Sequence, residues 1–442
     1  MSQLTVRPGA PLRGEVGVPG DKSISHRALL LGAIASGVSH VEGFLPAADC
    51  LATLRTIQSL GIELEPAGPT SFQIMGRGLH GLHEPQDVLN CSRSGTTLRL
   101  LAGILAGQPF SSVLSGEDQL RRRPMRRIVE PLRQMGATIL GRDGGRLPPL
   151  AIRGGELTGI EYSLPVASAQ VKSALLLAGL YAAGPMTLHV PGPARDHTER
   201  LLAAMGCDVG YQVPDARYPL PDTQSLELQP PARLAPLDLT IPGDFSSAAF
   251  LAVAASLVPG SEMTVTGVGI NPTRSGLLDV LRSMGARLSL DGEHQAGGEP
   301  VADLAVQHAH LRGMEIGGPT VVRMIDEFPI LAVAATQAEG ETLVRDAAEL
   351  RVKETNRIAT AVEQLRRLGA GIEAQADGFV VRGPTLLTGA RVHSRGDHRL
   401  AMALVVAGLI AQGETVIDDV DCIADSFPGF VETLLKLGAN LR

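Results

Sequence analysis

Six times along the chain a helix-ending signature recurs, at Leu60-Gly61, Met135-Gly136, Met205-Gly206, Met284-Gly285, Leu368-Gly369 and Leu437-Gly438. The glycines are spaced by 75, 70, 79, 84 and 69 positions. In each copy an apolar helix face ends on a residue suited to the left-handed cap, and a strand follows, as at Ala137–Leu140 or Ala286–Leu290. The upstream half of the unit recurs as well. A polar turn leads into a helix that is apolar on nearly every side, and a Gly turn then leads into a β-branched strand. The six polar turns begin at Gly20, Ser92, Ala167, Pro242, Met324 and Arg395. A helix hydrophobic all round must be buried, so six inner helices wrapped by sheets and outer helices are expected. Solenoid repeats are usually ~20–50 residues. These are longer, and each holds enough strand and helix for a compact βαβ-type subdomain.

The fold class read from this pattern is α/β, with two lobes of three repeat units each. At 442 residues the chain exceeds one comfortable core. Between the third and fourth units, Tyr211 to Leu239 carries Pro214, Pro219, Pro221, Pro230, Pro231 and Pro236, a density suited to neither helix nor central strand. That passage divides a first lobe, residues 20–238, from a second formed by residues 1–19 and 239–442. The segment before Gly20 precedes the first unit and is expected to pair in the second lobe, making a second crossover. The active site is expected in the cleft between the lobes.

Composition excludes several classes. A net charge of −7, only 3% aromatic residues and no Trp argue against a nucleic-acid binder. Apolar runs such as Ala401–Ile410 are too short to span a bilayer, and the N-terminal residues lack a secretory or transit pattern, which points to the cytoplasm. Cys50, Cys91, Cys207 and Cys422 lie far apart and read as free, buried thiols. No metal-ligand spacing and no Walker-type phosphate loop is present, so neither a metal nor another cofactor is expected.

The chemistry lies in the turns. Lys22, Ser23 and Arg27 open the first inner helix, where unpaired N–H groups and the dipole favour an anion. Ser94, Gly95 and Thr96 make a small-residue bend that an anion could approach closely. Ser168, Gln170 and Lys172 follow in the third turn, Asp326 and Glu327 in the fifth, and Asp397, His398 and Arg399 in the sixth. Five arginines crowd Leu120–Arg127 in an otherwise acidic chain, which suits a multiply charged ligand. Helical spacing places Lys353 and Arg357 on one face with Glu354 beside them.

Gly20–Arg27, Arg123–Met125, Arg351–Thr355 and Gly396–Arg399 resemble, in order and over the whole chain, the signatures of the 5-enolpyruvylshikimate-3-phosphate (EPSP) synthases. That resemblance implies two lobes of three βαβαββ units, the inside-out α/β barrel of the enolpyruvyl transferases. It also implies transfer of the enolpyruvyl group of phosphoenolpyruvate to shikimate 3-phosphate, on the route to chorismate and the aromatic amino acids. Carried over by position, Lys22, Ser23, Arg27, Ser168, Ala169, Gln170, Arg195, Asp326 and Lys353 would hold shikimate 3-phosphate. Lys22, Gly95, Arg123, Arg357 and Arg399 would hold phosphoenolpyruvate, and Asp326, Glu354 and Lys22 would be catalytic. The expected partners are these two small anions, with no nucleic acid and no membrane, and the expected form is a monomer.

The chain departs from the family pattern at Arg93, Ala169, Ala194 and Asp425, where members often carry Asn, Ser, Ser or Thr, and Lys respectively. Gln170–Lys172, Arg195–Glu199 and Asn271–Arg274 resemble the branch often called class II, which tends to tolerate glyphosate, whereas Gly95 leaves the pocket roomy and implies weak discrimination against that inhibitor. Two alternatives stand beside this reading. One is the related UDP-N-acetylglucosamine enolpyruvyl transferase, which usually has a Cys where Gly116–Pro124 has none. The other is a non-enzymatic anion-binding repeat scaffold.

Overall fold

The computed structural model describes residues 2–211 and 223–442. All six repeat glycines adopt the left-handed conformation, with φ between 83° and 114°, so each ends its helix and turns the chain into the following strand. The inner helices are Lys22–Ala33, Gly95–Ala106, Ala169–Gly179, Phe245–Leu257, Phe328–Thr336 and His398–Ile410. From Phe245 to Leu257 every residue is buried, and the other five are buried over nearly their whole length. Five have a side-chain N-cap: Asp21, Ser94, Ser168, Asp244 and Asp397. The fifth inner helix lacks a side-chain cap and starts with Pro329 in its first turn, where a missing N–H costs nothing.

Among the described residues there are six four-stranded sheets and one two-stranded ladder. One sheet shows the rule. Ser36–Glu42 pairs antiparallel with Phe72–Arg77, which pairs antiparallel with Leu64–Pro66. On its other edge Ser36–Glu42 pairs parallel with Asp238–Thr240. In the second, third, fifth and sixth repeats the parallel partner is instead the repeat's own strand, as with Leu89–Asn90 beside Ser111–Ser115. The first and fourth repeats exchange that strand, so Arg13–Gly17 runs parallel to Glu262–Gly269.

This exchange divides the chain into two compact units. One is Met1–Pro19 with Pro242–His294 and Pro300–Arg442; the other is Gly20–Ile241 with Gln295–Glu299. Each has its own apolar core. Strand Gln3–Arg7 pairs with Thr415–Asp418 and Asn440–Leu441, which ties the N-terminus into the first of these units. Asp238–Thr240 stays with the other because its ladder to Ser36–Glu42 holds it there.

The proline-rich passage departs from expectation. Thr223–Leu228 is a strand between Met186–Pro191 and Val209–Tyr211. It avoids proline altogether, since Pro230, Pro231 and Pro236 follow it, while Pro214, Pro219 and Pro221 lie outside the described residues. In the Gly20–Ile241 unit the second and third inner helices pack at Gly103, where a Cβ would lie 2.1 Å from the Ala174 carbonyl oxygen. Cys50, Cys91 and Cys207 are buried free thiols, and Cys422 is half-buried. Among the described residues no helix is long and apolar enough to cross a membrane.

Candidate active site

In the Gly20–Ile241 unit, Asp21 accepts the Ile24 N–H at 2.9 Å and starts the first inner helix. Lys22 is therefore its first residue, with Nζ 2.6 Å from Asp49 Oδ2. One turn on, Arg27 is 3% exposed and donates to three neutral acceptors: Thr198 Oγ1 at 2.7 Å, Ser173 Oγ at 2.7 Å and the Ser23 carbonyl at 2.8 Å. Burial pulls its pKa down to about 10 even though Glu199 and Asp21 act against that shift. A buried guanidinium whose hydrogen-bond partners are all neutral has the chemistry to receive an anion.

The third inner helix starts at Ala169, and its Ser168 cap hydroxyl accepts the Val171 N–H at 3.5 Å. Gln170 accepts from Arg99 Nη1 at 2.6 Å and donates to Thr96 Oγ1 at 3.0 Å, which brings the second and third turns together. Gly95 is the first residue of the second inner helix. A Cβ there would come 2.7 Å from Arg99 Nη1 and 3.0 Å from Arg123 Nη1. Fully buried Lys172 lies 2.5 Å from Glu199, donates to Tyr211 at 2.8 Å, and donates to the Ala194 carbonyl at 3.2 Å. That last bond fixes the backbone immediately before Arg195.

The arginine run divides. Arg121 and Arg122 pair with Asp118 and Arg126 pairs with Glu130, all on the surface, while Arg123 lies against Gly95. Arg93 pairs with exposed Glu117 at 2.8 Å.

In the other unit five of the expected residues form one cluster. Arg357, 2% exposed, divides its guanidinium among Asp326 at 3.2 Å, Glu354 at 2.7 Å and Asp397 at 2.9 Å. Arg399 lies 3.6 Å from the second Asp326 oxygen. Burial lowers the Arg357 pKa, but Glu354, Asp397 and Asp326 outweigh it and hold the pKa above the ordinary arginine value. Burial pushes Asp397 up, and Arg357 outweighs this and holds it below the usual carboxylate range. Lys353 goes the other way. Burial lowers its pKa and Arg357 adds to the effect, with Asp326 and Glu354 opposing.

One local expectation fails here. Lys353 and Glu354 share no helix face with Arg357. A 3₁₀ turn ends at Val352, Lys353 is extended, and the helix begins at Arg357 behind its Asn356 cap. The end of one helix and the start of the next break the helical spacing, and Glu354 reaches Arg357 from the link between them. Arg99 and Asp49 were not among the sequence candidates. The available signal for Arg99 was a lone charge in an otherwise apolar inner helix, and Asp49 looked like an ordinary first-turn acid.

Buried cations shaped for small anions in one unit, and two carboxylates sharing an arginine in the other, are the equipment of a group-transfer enzyme for charged metabolites. The family model for EPSP synthase (3-phosphoshikimate 1-carboxyvinyltransferase) matches residues 6–434. The chain is 53% identical over 434 residues to the 3-phosphoshikimate 1-carboxyvinyltransferase of Citrifermentans bemidjiense, covering 98% of this chain and 99% of that one. It is 51% identical over 440 residues to that of Geobacter sulfurreducens, covering both chains completely. The solved EPSP synthase of Acinetobacter baumannii superposes with a TM-score of 0.90 at 40% identity, over 100% of this chain and 99% of that one. The chain belongs to the EPSP synthase family. Neither the UDP-sugar transferase nor the scaffold alternative is favoured.

Proposed function

We propose that the protein is a 3-phosphoshikimate 1-carboxyvinyltransferase of the shikimate pathway. It moves the enolpyruvyl group of phosphoenolpyruvate to the 5-hydroxyl of shikimate 3-phosphate and releases phosphate. The observation that carries this reading is the pairing of Asp326 and Glu354 with one buried guanidinium, with Lys353 beside them. The reaction needs two proton movements at different atoms. The 5-hydroxyl loses a proton as its oxygen attacks C2 of the enol, and C3 gains one. The tetrahedral adduct then loses a C3 proton and expels phosphate. Asp326 serves the hydroxyl and Glu354 the methylene, while Lys353 and Lys22 stabilise charge and help carry protons.

Arg27, with Lys22, Ser23, Ser168, Ala169, Gln170, Arg195, Asp326 and Lys353, holds shikimate 3-phosphate. Lys22, Gly95, Arg123, Arg357 and Arg399 hold phosphoenolpyruvate. The residues of both units are needed, because two multiply charged anions must be neutralised as they react. A net charge of −7 favours a soluble monomer, and the cytoplasm is its proposed location. The test is phosphate release from phosphoenolpyruvate, run separately with shikimate 3-phosphate and with UDP-N-acetylglucosamine. Release with the first alone is expected; release only with the UDP-sugar would overturn the assignment.

A further inference from the structure

A chain of buried hydroxyls joins the first two inner helices through the outer helix Ala48–Ser59. His26 Nδ1 lies 2.6 Å from Thr53 Oγ1, Thr53 Oγ1 lies 2.6 Å from Thr97 Oγ1, and Thr97 Oγ1 donates to Ser94 Oγ at 2.7 Å. Ser94 Oγ also accepts the Thr97 N–H at 3.1 Å and so caps the helix that opens with Gly95. Thr53, Thr97 and Ser94 are fully buried, and His26 is 1% exposed.

One proton order gives each threonine hydroxyl in the chain a donor and an acceptor. A threonine hydroxyl has one proton. In that order Thr97 gives its own to Ser94 at 2.7 Å rather than to the Asp49 carbonyl at 3.4 Å or to Thr53 Oγ1. Thr53 then donates to Thr97, and the proton it receives comes from His26 Nδ1–H. This order makes the imidazole the neutral Nδ1–H tautomer, with Nε2 a buried acceptor that has no hydrogen-bond partner among the described residues. The opposite tautomer would bury an N–H donor with nothing to receive it.

We propose that His26, Thr53 and Thr97 are positioning residues that register the start of the second inner helix, with Gly95, against the first, with Lys22, and thereby set the affinity for phosphoenolpyruvate. The inference rests on the function proposed above, which places phosphoenolpyruvate at Lys22 and Gly95. Neither His26 nor Thr53 reaches a ligand in this account. They act through Ser94, whose cap sets where the helix begins. Arg27, which the proposed function gives to shikimate 3-phosphate, is held by Thr198 and Ser173 instead, outside the relay.

The experiment compares Thr53→Val, which keeps shape and deletes the hydroxyl, with His26→Leu and His26→Asn. Thr53→Val and His26→Leu are expected to raise the KM for phosphoenolpyruvate about 10-fold, the equivalent of one lost buried hydrogen bond. The KM for shikimate 3-phosphate should stay within about 2-fold. His26→Asn, whose amide N–H can stand in for Nδ1–H, should recover most of the loss. Nitrogen-15 NMR of histidine-labelled wild-type protein, with the His26 signal assigned by its disappearance in His26→Asn, should show the Nδ1–H tautomer. Equal rises in both KM values, unchanged values in Thr53→Val, or an Nε2–H signal for His26 would each overturn the relay. A wild-type protein without phosphate release would instead sink the functional reading, while the tautomer measurement would still decide the hydrogen-bond chain.

Discussion

Arg27 and Arg357 are both almost wholly buried, each makes three hydrogen bonds, and they are prepared for opposite tasks. Arg27 meets two hydroxyls and a carbonyl, so its charge is uncompensated at contact and burial lowers its pKa to about 10. Arg357 meets three carboxylates, and its pKa rises. Around it Asp326, Glu354 and Asp397 are balanced by Arg357, Arg399 and Lys353. No carboxylate hydrogen-bonds Arg27 among the described residues, and in the proposed function the phosphate of the ligand takes that place. The second already contains carboxylates, so that Arg357 and Arg399, which the proposed function gives to phosphoenolpyruvate, lie beside groups able to trade protons. The difference shows that one repeat, used six times, carries two kinds of buried cation: Arg27 lies within an inner helix, whereas Arg357 opens the separate helix Arg357–Arg367.

The strongest challenge to this comparison is removal of the acid–base pair. Asp326→Asn and Glu354→Gln should each reduce kcat by about 10²–10⁴-fold, the usual worth of a positioned general acid or base. Ligand affinities by calorimetry should change only a few-fold. If kcat survived and affinities fell, the carboxylate cluster would be a binding device and the contrast with Arg27 would dissolve.

Next in size is Arg27→Lys. A single ammonium cannot reproduce the fork that bonds Thr198, Ser173 and Ser23, so the KM for shikimate 3-phosphate should rise about 100-fold at ~2–3 kcal/mol for charged hydrogen bonds. The KM for phosphoenolpyruvate should move much less. Gly95→Ala comes third. Its methyl would press on the ends of Arg99 and Arg123, and both are flexible enough to give way. The KM for phosphoenolpyruvate should rise about 10-fold, as a displaced charged hydrogen bond would require, with weaker inhibition by glyphosate. Equal inhibition of the two proteins would remove the steric argument.

Two pH measurements sharpen the contrast further. Lys353 titrates below the ordinary lysine value of 10.5, so its charge, and the activity that needs it, is lost on the alkaline side earlier than for an exposed lysine. Lys353→Arg should retain part of the activity and move that alkaline limb to higher pH. In the other unit the buried His26 has its pKa lowered to about 3, through burial first and the nearby Lys22 and Arg27 after it, against Asp49. Unfolded chain binds a proton below about pH 6.5 where folded protein does not. Stability from this group is therefore complete above pH 6.5 and falls by about 1.4 kcal/mol per pH unit as pH drops towards 3. His26→Asn should flatten that part of the acid unfolding curve, as denaturant titrations at several pH values would record.

Much of the fold was open to reading because the repeat is written in local terms. A Gly after an i, i+3 apolar face, and a polar cap before an all-apolar run, act on the chain within one helical turn, and both signals hold at six glycines and five caps. Where a local rule was stretched it failed. Lys353 and Glu354 looked helical by spacing, yet the Asn356 cap restarts the helix behind them. Thr223–Leu228 is a strand inside a passage whose proline content argued against one.

From the amino-acid order alone follow the six buried helices, the glycine that ends each unit, the polar turns that open them, and the family to which those turns belong. These depend on propensity and hydrophobic period, which neighbouring residues settle among themselves. Only the folded chain decides that Arg13–Gly17 and Asp238–Thr240 exchange partners between the first and fourth repeats. Only it decides that Arg99 reaches Gln170, and that His26, Thr53, Thr97 and Ser94 meet in one buried chain of contacts. Each of these joins groups far apart along the chain. A hydrogen-bond partner at that separation is chosen by which surfaces pack together, and no local pattern records that choice.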